Sequence, residues 1–271
     1  MGKSPLAAEL GVSTGALKHG LPYLALGAGR PLVFLRWFTP DHANPRGWMR
    51  EAEIRMLAPL ARHFRVYAVN RAPRMPEGTT MRDIAGQHAE ALAAEFGGPV
   101  DVIGMSSGGS VGLQLAADYP AEVRKLVVVS SGYRLEEAAR ASQMRYARAA
   151  YEGRRALHLL SDALFSSPAL SRVATAAMWL LDPLVRPLNP ADTLAFARAE
   201  DDFDIGDRLG KIAAPTLVIG GERDAYYSTE NFRRTADGIP DSRLTIYPDA
   251  THTGVLKHAR FTSDVIEFLT H

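Results

Sequence analysis

The chain has 271 residues, 46% of them hydrophobic and 23% charged, with a formal net charge of +1. That length suits one large core with room for an inserted lid, and the near-neutral balance argues against nucleic acid or an anionic membrane surface as a partner. The absence of cysteine excludes a disulfide, a thiolate nucleophile and a Cys-based zinc site.

In chain order, Met1-Gly2-Lys3-Ser4-Pro5-Leu6-Ala7 lacks the apolar region of a secretory signal, and Leu6 stands where a myristoylation site needs Ser or Thr. The longest apolar run, roughly Val173 to Leu181, is about half a bilayer span, so the expected setting is cytoplasmic with no membrane span. Tyr23–Leu26 and Pro31–Leu35 read as neighbouring strands joined by a Gly27-Ala28-Gly29 turn. That turn lacks the third glycine and the helix start of a dinucleotide loop. Arg65–Asn70 is the next strand. A helix follows from Thr80 to Phe96, capped by Thr79 or Thr80 and stopped by Gly97-Gly98-Pro99. Val100–Gly104 is a strand, Ser107 to about Asp118 a helix, and Lys125–Ser130 a strand. Between Tyr133 and Gly210 the alternation stops: the stretch is helical in pattern and broken by Pro168, Pro183, Pro187 and Pro190. Pro215–Gly220 and Arg243–Tyr247 are strands flanking a helix from about Ser228 to Gly238, and a helix over roughly Ala259–Leu269 closes the chain. This alternation predicts an α/β fold with a mainly parallel sheet covered by helices. A helical block between two strands of one sheet must leave the sheet and return. Residues 133–210 therefore read as a lid on a core formed by 1–132 and 211–271.

Directly after the apolar strand comes Gly104-Met105-Ser106-Ser107-Gly108, a G-x-S-x-G pentapeptide leading into a helix rich in small residues. Strand, tight turn and helix are the context of a nucleophile elbow, with Ser106 at the strained centre. Acyl transfer by serine needs a base within hydrogen-bond reach and a carboxylate to hold that base in the right tautomer. In an open parallel sheet such groups gather at the carboxyl ends of strands. The strand ends offer Ser106, then Gly221-Glu222-Arg223-Asp224, then Pro248-Asp249-Ala250-Thr251-His252. Ser106, Asp224 and His252 stand in the Ser…Asp…His order that accompanies this elbow. Glu222 and Asp249 compete for the acid role and His258 for the base, but Asp224 lies far enough past its strand to reach back, and His258 falls near the last helix.

On these segments the chain resembles the α/β-hydrolase superfamily over nearly its whole length. The carriers are Gly104 to Gly109, Ala214 to Asp224 and Tyr247 to His252. The resemblance implies an eight-stranded, mostly parallel sheet with helices on both faces and a lid where Tyr133–Gly210 lies. It also implies that water releases an acyl-serine intermediate with His252 as base in both half-reactions. Members usually carry His-Gly after the third strand; here that strand runs into Arg36-Trp37-Phe38. Alignment on the strand end and on Pro40 gives the oxyanion donors as the backbone N–H groups of Phe38 and Ser107. Either this loop is rebuilt, with Arg36 or Trp37 shaping a substrate pocket, or the hole is impaired. The first is favoured because an intact triad would otherwise be idle. Asn70-Arg71-Ala72-Pro73 departs from the Asp-Arg-Pro-Gly stretch of many members, keeping only the Arg and a displaced Pro.

Met144, Tyr146, Tyr151, Phe165, Met178 and Trp179 could line a pocket from the lid or simply pack it. Its arginines, Arg134 to Arg155, read as a solvated face paired with Glu136, Glu137 and Glu152. Glu200-Asp201-Asp202-Phe203-Asp204 reads as the polar exit of the lid rather than a cation site. No metal or cofactor is expected, and the partner is a small-molecule substrate. The reading is a serine hydrolase of a small or medium carboxylic ester. An Asp nucleophile would be needed for haloalkane dehalogenation, which Ser106 disfavours. C–C bond, lactone or amide hydrolysis and perhydrolysis stay open with the same triad, as does a ligand-binding protein on a hydrolase scaffold.

Overall fold

The computed structural model describes residues 5–160 and 168–271. Its centre is a sheet of β1 (Ser13–Ala16), β2 (Pro22–Leu26), β3 (Pro31–Leu35), β4 (Arg65–Val69), β5 (Val100–Met105), β6 (Val123–Val129), β7 (Thr216–Gly221) and β8 (Ser242–Tyr247). The eight strands run in the order β1-β2-β4-β3-β5-β6-β7-β8. The β1–β2 and β2–β4 pairs are antiparallel and every other pair is parallel. Around the sheet lie α1 (Pro5–Glu9), α2 (Gly47–Ala61), α3 (Met81–Phe96), α4 (Ser107–Asp118), α5 (Glu137–Tyr151), α6 (Pro168–Leu181), α7 (Pro190–Asp201), α8 (Thr229–Asp237) and α9 (Phe261–Thr270). Among the described residues no helix is long and apolar enough to cross a membrane.

Every residue of β5 and of β7 is buried, as befits strands covered on both faces. On β3 the two-residue period sorts the side chains: Val33 and Leu35 enter one core, Leu32 and Phe34 the other. The first core is closed by Ile84 and Leu92 of α3, Val111 and Leu115 of α4 and Phe232 of α8. The second is closed by Ile54, Leu57 and Leu60 of α2 and by Val265 and Leu269 of α9. At the start of α3 the Thr80 hydroxyl accepts from Asp83 N–H while Asp83 accepts from Thr80 N–H, a capping box that selects Thr80 over Thr79.

One sequence-based expectation is corrected here. The strands around Gly27-Ala28-Gly29 are not neighbours, because β4 lies between β2 and β3. Gly27 (φ 83°) is pressed against α2: a Cβ there would fall 2.1 Å from the Ala61 carbonyl oxygen. The chain thus turns beneath α2 and returns by a β3–α2–β4 crossover, which parallel pairing requires. That crossover helix, α2, is absent from the sequence reading, as is β1. Pro59 inside α2 and the Pro40 and Pro45 before it obscure its helical period.

Between β6 and β7 the described residues contain helices and no strand. An isolated bridge between Arg134 and Asp204 ties the two ends of this segment together. Small residues let α5 and α7 approach closely, with Ala147, Ala149 and Ala150 packed against Leu194 and Ala197. The arginine face pairs differently from expectation at several places, among them Arg134, whose partner is Asp204. Arg140 bonds Asp201 on α7, and the Arg155 guanidinium lies 3.7 Å over the Trp179 ring.

Candidate active site

Register brings the carboxyl ends of five strands to one edge. Leu35 pairs with Gly104, Gly104 with Val128, Val128 with Val218 and Gly221 with Tyr247. Strand β5 ends at Met105 and α4 begins at Ser107, so Ser106 makes the turn alone, at φ 52° and ψ −126°. A side-chain-bearing residue holds that conformation only where its surroundings enforce it. Here the Ser106 N–H donates to the Val129 carbonyl at 2.9 Å and its own carbonyl accepts from Gly109 N–H at 2.7 Å. The flanking glycines make the turn possible. A Cβ at Gly104 would sit 2.4 Å from the Gly108 carbonyl oxygen, and one at Gly108 would sit 2.1 Å from that of Leu35.

The loop after β8 delivers His252, whose Nε2 lies 2.9 Å from Ser106 Oγ. Its Nδ1 lies 2.8 Å from Asp224 Oδ2 and 3.0 Å from Oδ1. An ionised carboxylate only accepts, so Nδ1 carries the proton and Nε2 keeps its lone pair for the serine hydroxyl. The Asp224 side chain is fully buried and is itself aimed: Oδ1 accepts from the N–H groups of Tyr226 at 2.8 Å and Tyr227 at 3.2 Å. The Tyr226 ring covers the imidazole with centroids 4.6 Å apart, and Ser130 Oγ donates to the His252 carbonyl at 2.8 Å. The competitors lie elsewhere. Asp249 pairs with Arg223 at the surface, Glu222 accepts from Asp249 N–H, and His258 stacks on Tyr247.

The loop after β3 is rebuilt around buried polar groups. Arg36 is corrected from the expected pocket: its Nε and Nη2 donate to the two oxygens of Glu53 on α2 at 2.6 and 2.8 Å, and its Nη1 to Asn44. Glu53 offsets the cost of desolvating this guanidinium with a bidentate ion pair. Trp37 is corrected likewise, since it packs edge-on against Phe34 in the second core. Phe38 faces the other way, with its ring 5.7 Å from Tyr146 and 6.0 Å from Phe196. Neither the Phe38 nor the Ser107 backbone N–H has a hydrogen-bond partner among the described residues. Of the remaining pocket candidates, Tyr146 is brought in against Phe38, and Met144 packs in the same α5–α7 cluster. Trp179 is corrected to a half-exposed position beneath Arg155, and Phe165 lies outside the described residues.

The Arg36–Glu53 pair makes a direct stability prediction. Glu53→Ala should destabilise by about 3–5 kcal/mol in denaturant unfolding by leaving a buried guanidinium unpaired. Replacing the two together with Arg36→Met and Glu53→Leu should recover most of that loss. A Glu53→Ala change below about 1 kcal/mol would contradict the pair.

Acid should also unfold the protein through two buried histidines. Burial and the neighbouring Arg71 cation press His42 down to about 3, and burial presses His88 down to about 4. The unfolded chain therefore takes up protons below about pH 6.5 that the native state refuses, so stability is complete above that pH and is lost as pH falls toward 4. Thermal midpoints measured from pH 8 to pH 4.5 should fall steeply below pH 6.5. His88→Leu should flatten the slope, and an unchanged slope would remove His88 from the account.

Among the buried groups that escaped the sequence reading, one lies against the elbow helix. Glu200 is not part of a polar exit: it is 1% exposed on α7 and accepts from Ser110 Oγ at 3.2 Å and Gln143 Nε2 at 2.8 Å. Burial pushes its carboxyl up. Helical spacing from the buried Thr193 and Phe196 was the available signal, hidden by the acidic run that follows. Among the described residues no group of three or more His, Asp or Glu side chains could hold a metal ion.

Residues 19–265 match the model of a family described as the alpha/beta hydrolase family. Over 200 residues the chain is 32% identical to the "Putative carbamate hydrolase RutD" of Variovorax paradoxus (strain S110), covering 71% of this chain and 74% of that protein. It is 27% identical to a pimeloyl-[acyl-carrier protein] methyl ester esterase of Chromobacterium violaceum, covering 81% of this chain and 89% of that one. In fold it is similar to a thermophilic esterase from Thermogutta terrifontis, with a TM-score of 0.72, 22% identity and 95% and 98% of the two chains covered.

Proposed function

The chain belongs to the alpha/beta hydrolase family, and from that premise we propose that it is a serine hydrolase of small or medium carboxylic esters. The observation that carries this reading is the unbroken hydrogen-bond chain from Ser106 Oγ through His252 to Asp224. Ser106 attacks the ester carbonyl as His252 Nε2 takes its proton, and Asp224 stabilises the imidazolium so formed. The Phe38 and Ser107 N–H groups receive the oxyanion, in keeping with their lack of any other partner among the described residues. His252 then returns the proton to the departing alcohol and activates a water that releases the acid from Ser106. Residues 133–210 act as the lid over a core of 1–132 and 211–271, with Tyr146 reaching the site through Phe38.

The ester assignment draws support from the esterase relatives, while the carbamate hydrolase relative sets its sharpest competitor. A panel of p-nitrophenyl esters of increasing acyl length, run beside a carbamate of the same phenol, tests it. Turnover is expected on the esters at least tenfold above the carbamate. A reversed order would overturn the ester reading and keep the hydrolase. Failure of a fluorophosphonate probe to label Ser106, while labelling a known esterase in the same tube, would sink both.

A further inference from the structure

Arg71, just past the end of β4, is a fully buried cation that makes no ion pair among the described residues. It donates to the oxyanion-side loop instead. Nη1 reaches the carbonyls of Trp37 at 3.2 Å and Arg36 at 3.5 Å, and Nη2 reaches Thr39 Oγ1 at 3.2 Å and the Thr39 carbonyl at 3.5 Å. Nε donates to His42 Nε2 at 3.2 Å, and His42 Nδ1 donates to the Ala72 carbonyl at 2.9 Å. One face of the guanidinium lies 3.8 Å from the Phe196 ring centroid. Burial works against this charge, and the neighbouring Glu200 and Asp192 carboxylates favour it. The adjacent Asn70 side chain ties the same loop at Asp41 and Ala43.

The Trp37 carbonyl and the Phe38 N–H belong to one trans peptide, so they point in opposite directions. A clamp on the oxygen therefore sets where the N–H points, and pulling electron density toward the oxygen makes the N–H a stronger donor. The start of the same loop abuts the elbow, where Gly108 lies against the Leu35 and Arg36 carbonyls. We propose that Arg71 is a positioning residue for catalysis, holding the Trp37–Phe38 peptide from behind so that the Phe38 N–H faces the developing oxyanion. This rests on the proposed role of Phe38 as oxyanion donor. It accounts for how Trp37 can stand at a position usually held by glycine: the peptide's direction is imposed from outside the loop. Lysine could not substitute, because a single ammonium cannot bridge two carbonyls, a hydroxyl and an imidazole as a planar fork does.

The test titrates the protein with an aryl trifluoromethyl ketone, which adds reversibly to a serine as a tetrahedral oxyanion. The Phe38 amide and the Arg71 guanidinium N–H resonances are followed by NMR. In the wild type both are expected to move downfield together. An unmoved Phe38 amide would overturn the Phe38 assignment and the Arg71 role with it, whereas a shifted Phe38 amide beside unmoved Arg71 resonances would overturn the Arg71 role alone. In ester hydrolysis, Arg71→Lys is expected to lose about a hundredfold in kcat with KM within about twofold, and ketone affinity should weaken in parallel. Because one substitution at so buried a site can unfold the chain, Arg71→Met is paired with Glu200→Gln, which removes the neighbouring opposite charge as well. The same split is expected there. Either variant folded and within about twofold of wild-type kcat would overturn the Arg71 role.

Discussion

Ser106→Ala is expected to lower kcat on a p-nitrophenyl ester by about 10⁴-fold or more while leaving KM within a few-fold. In the proposed mechanism the hydroxyl forms the covalent bond, and the neighbouring serines are turned elsewhere. Ser107 Oγ is buried without a hydrogen-bond partner among the described residues at the first position of α4, and Ser110 Oγ is committed to Glu200. Neither lies at the turn that lifts Ser106 toward His252. The variant should also resist a fluorophosphonate that labels the wild type. His252→Ala should lose a comparable factor, because residues acting as one unit fail together. If Ser106→Ala kept more than about a tenth of wild-type kcat, the elbow would not be the nucleophile, and Ser107 would be the next residue to replace.

Asp224→Asn should cost about 10⁴-fold in kcat, with the fold unchanged by circular dichroism. The direction follows from the aim of the carboxylate. Oδ1 accepts from the Tyr226 and Tyr227 N–H groups, so an Asn would turn its carbonyl toward those amides and its NH₂ toward His252. Nδ1 would then have to accept, the imidazole proton would move to Nε2, and the lone pair that receives the serine proton would be gone. Asp224→Ala removes the wrong donor along with the right acceptor and should be no more damaging than Asp224→Asn. A loss below about tenfold for Asp224→Asn would mean that His252 is held by another group. Glu222 and Asp249, now engaged with each other's neighbours at the surface, would then be the candidates.

The elbow was legible because its strand, turn and helix lie in one short stretch of sequence. Gly104 and Gly108 are required by backbone atoms within four residues or on the adjacent strand, and the run Val100–Ile103 announces a buried strand in its own composition. Asp224 and His252 could be placed because each follows its strand by only a few residues. Strand order was harder. The turn at Gly27-Ala28-Gly29 reads alike whether the next strand pairs with the previous one or skips a place, and only the crossover through α2 decides between them. The rebuilt loop was harder still. Arg36 and Trp37 look like pocket residues in a linear string, because nothing near them in sequence shows that Glu53 and Phe34 receive them.

By itself, then, the sequence determined the family fold, the elbow and the order of the three groups at the strand ends, since strand, turn and helix each depend on neighbours along the chain. The tertiary structure alone decided which side chains turn inward around that site. It set Arg36 on Glu53, Arg71 on the carbonyls of Arg36 and Trp37, and Glu200 on Ser110. A buried charge is settled by whatever partners folding brings to it, and those partners lie between 17 and 90 residues away along the chain.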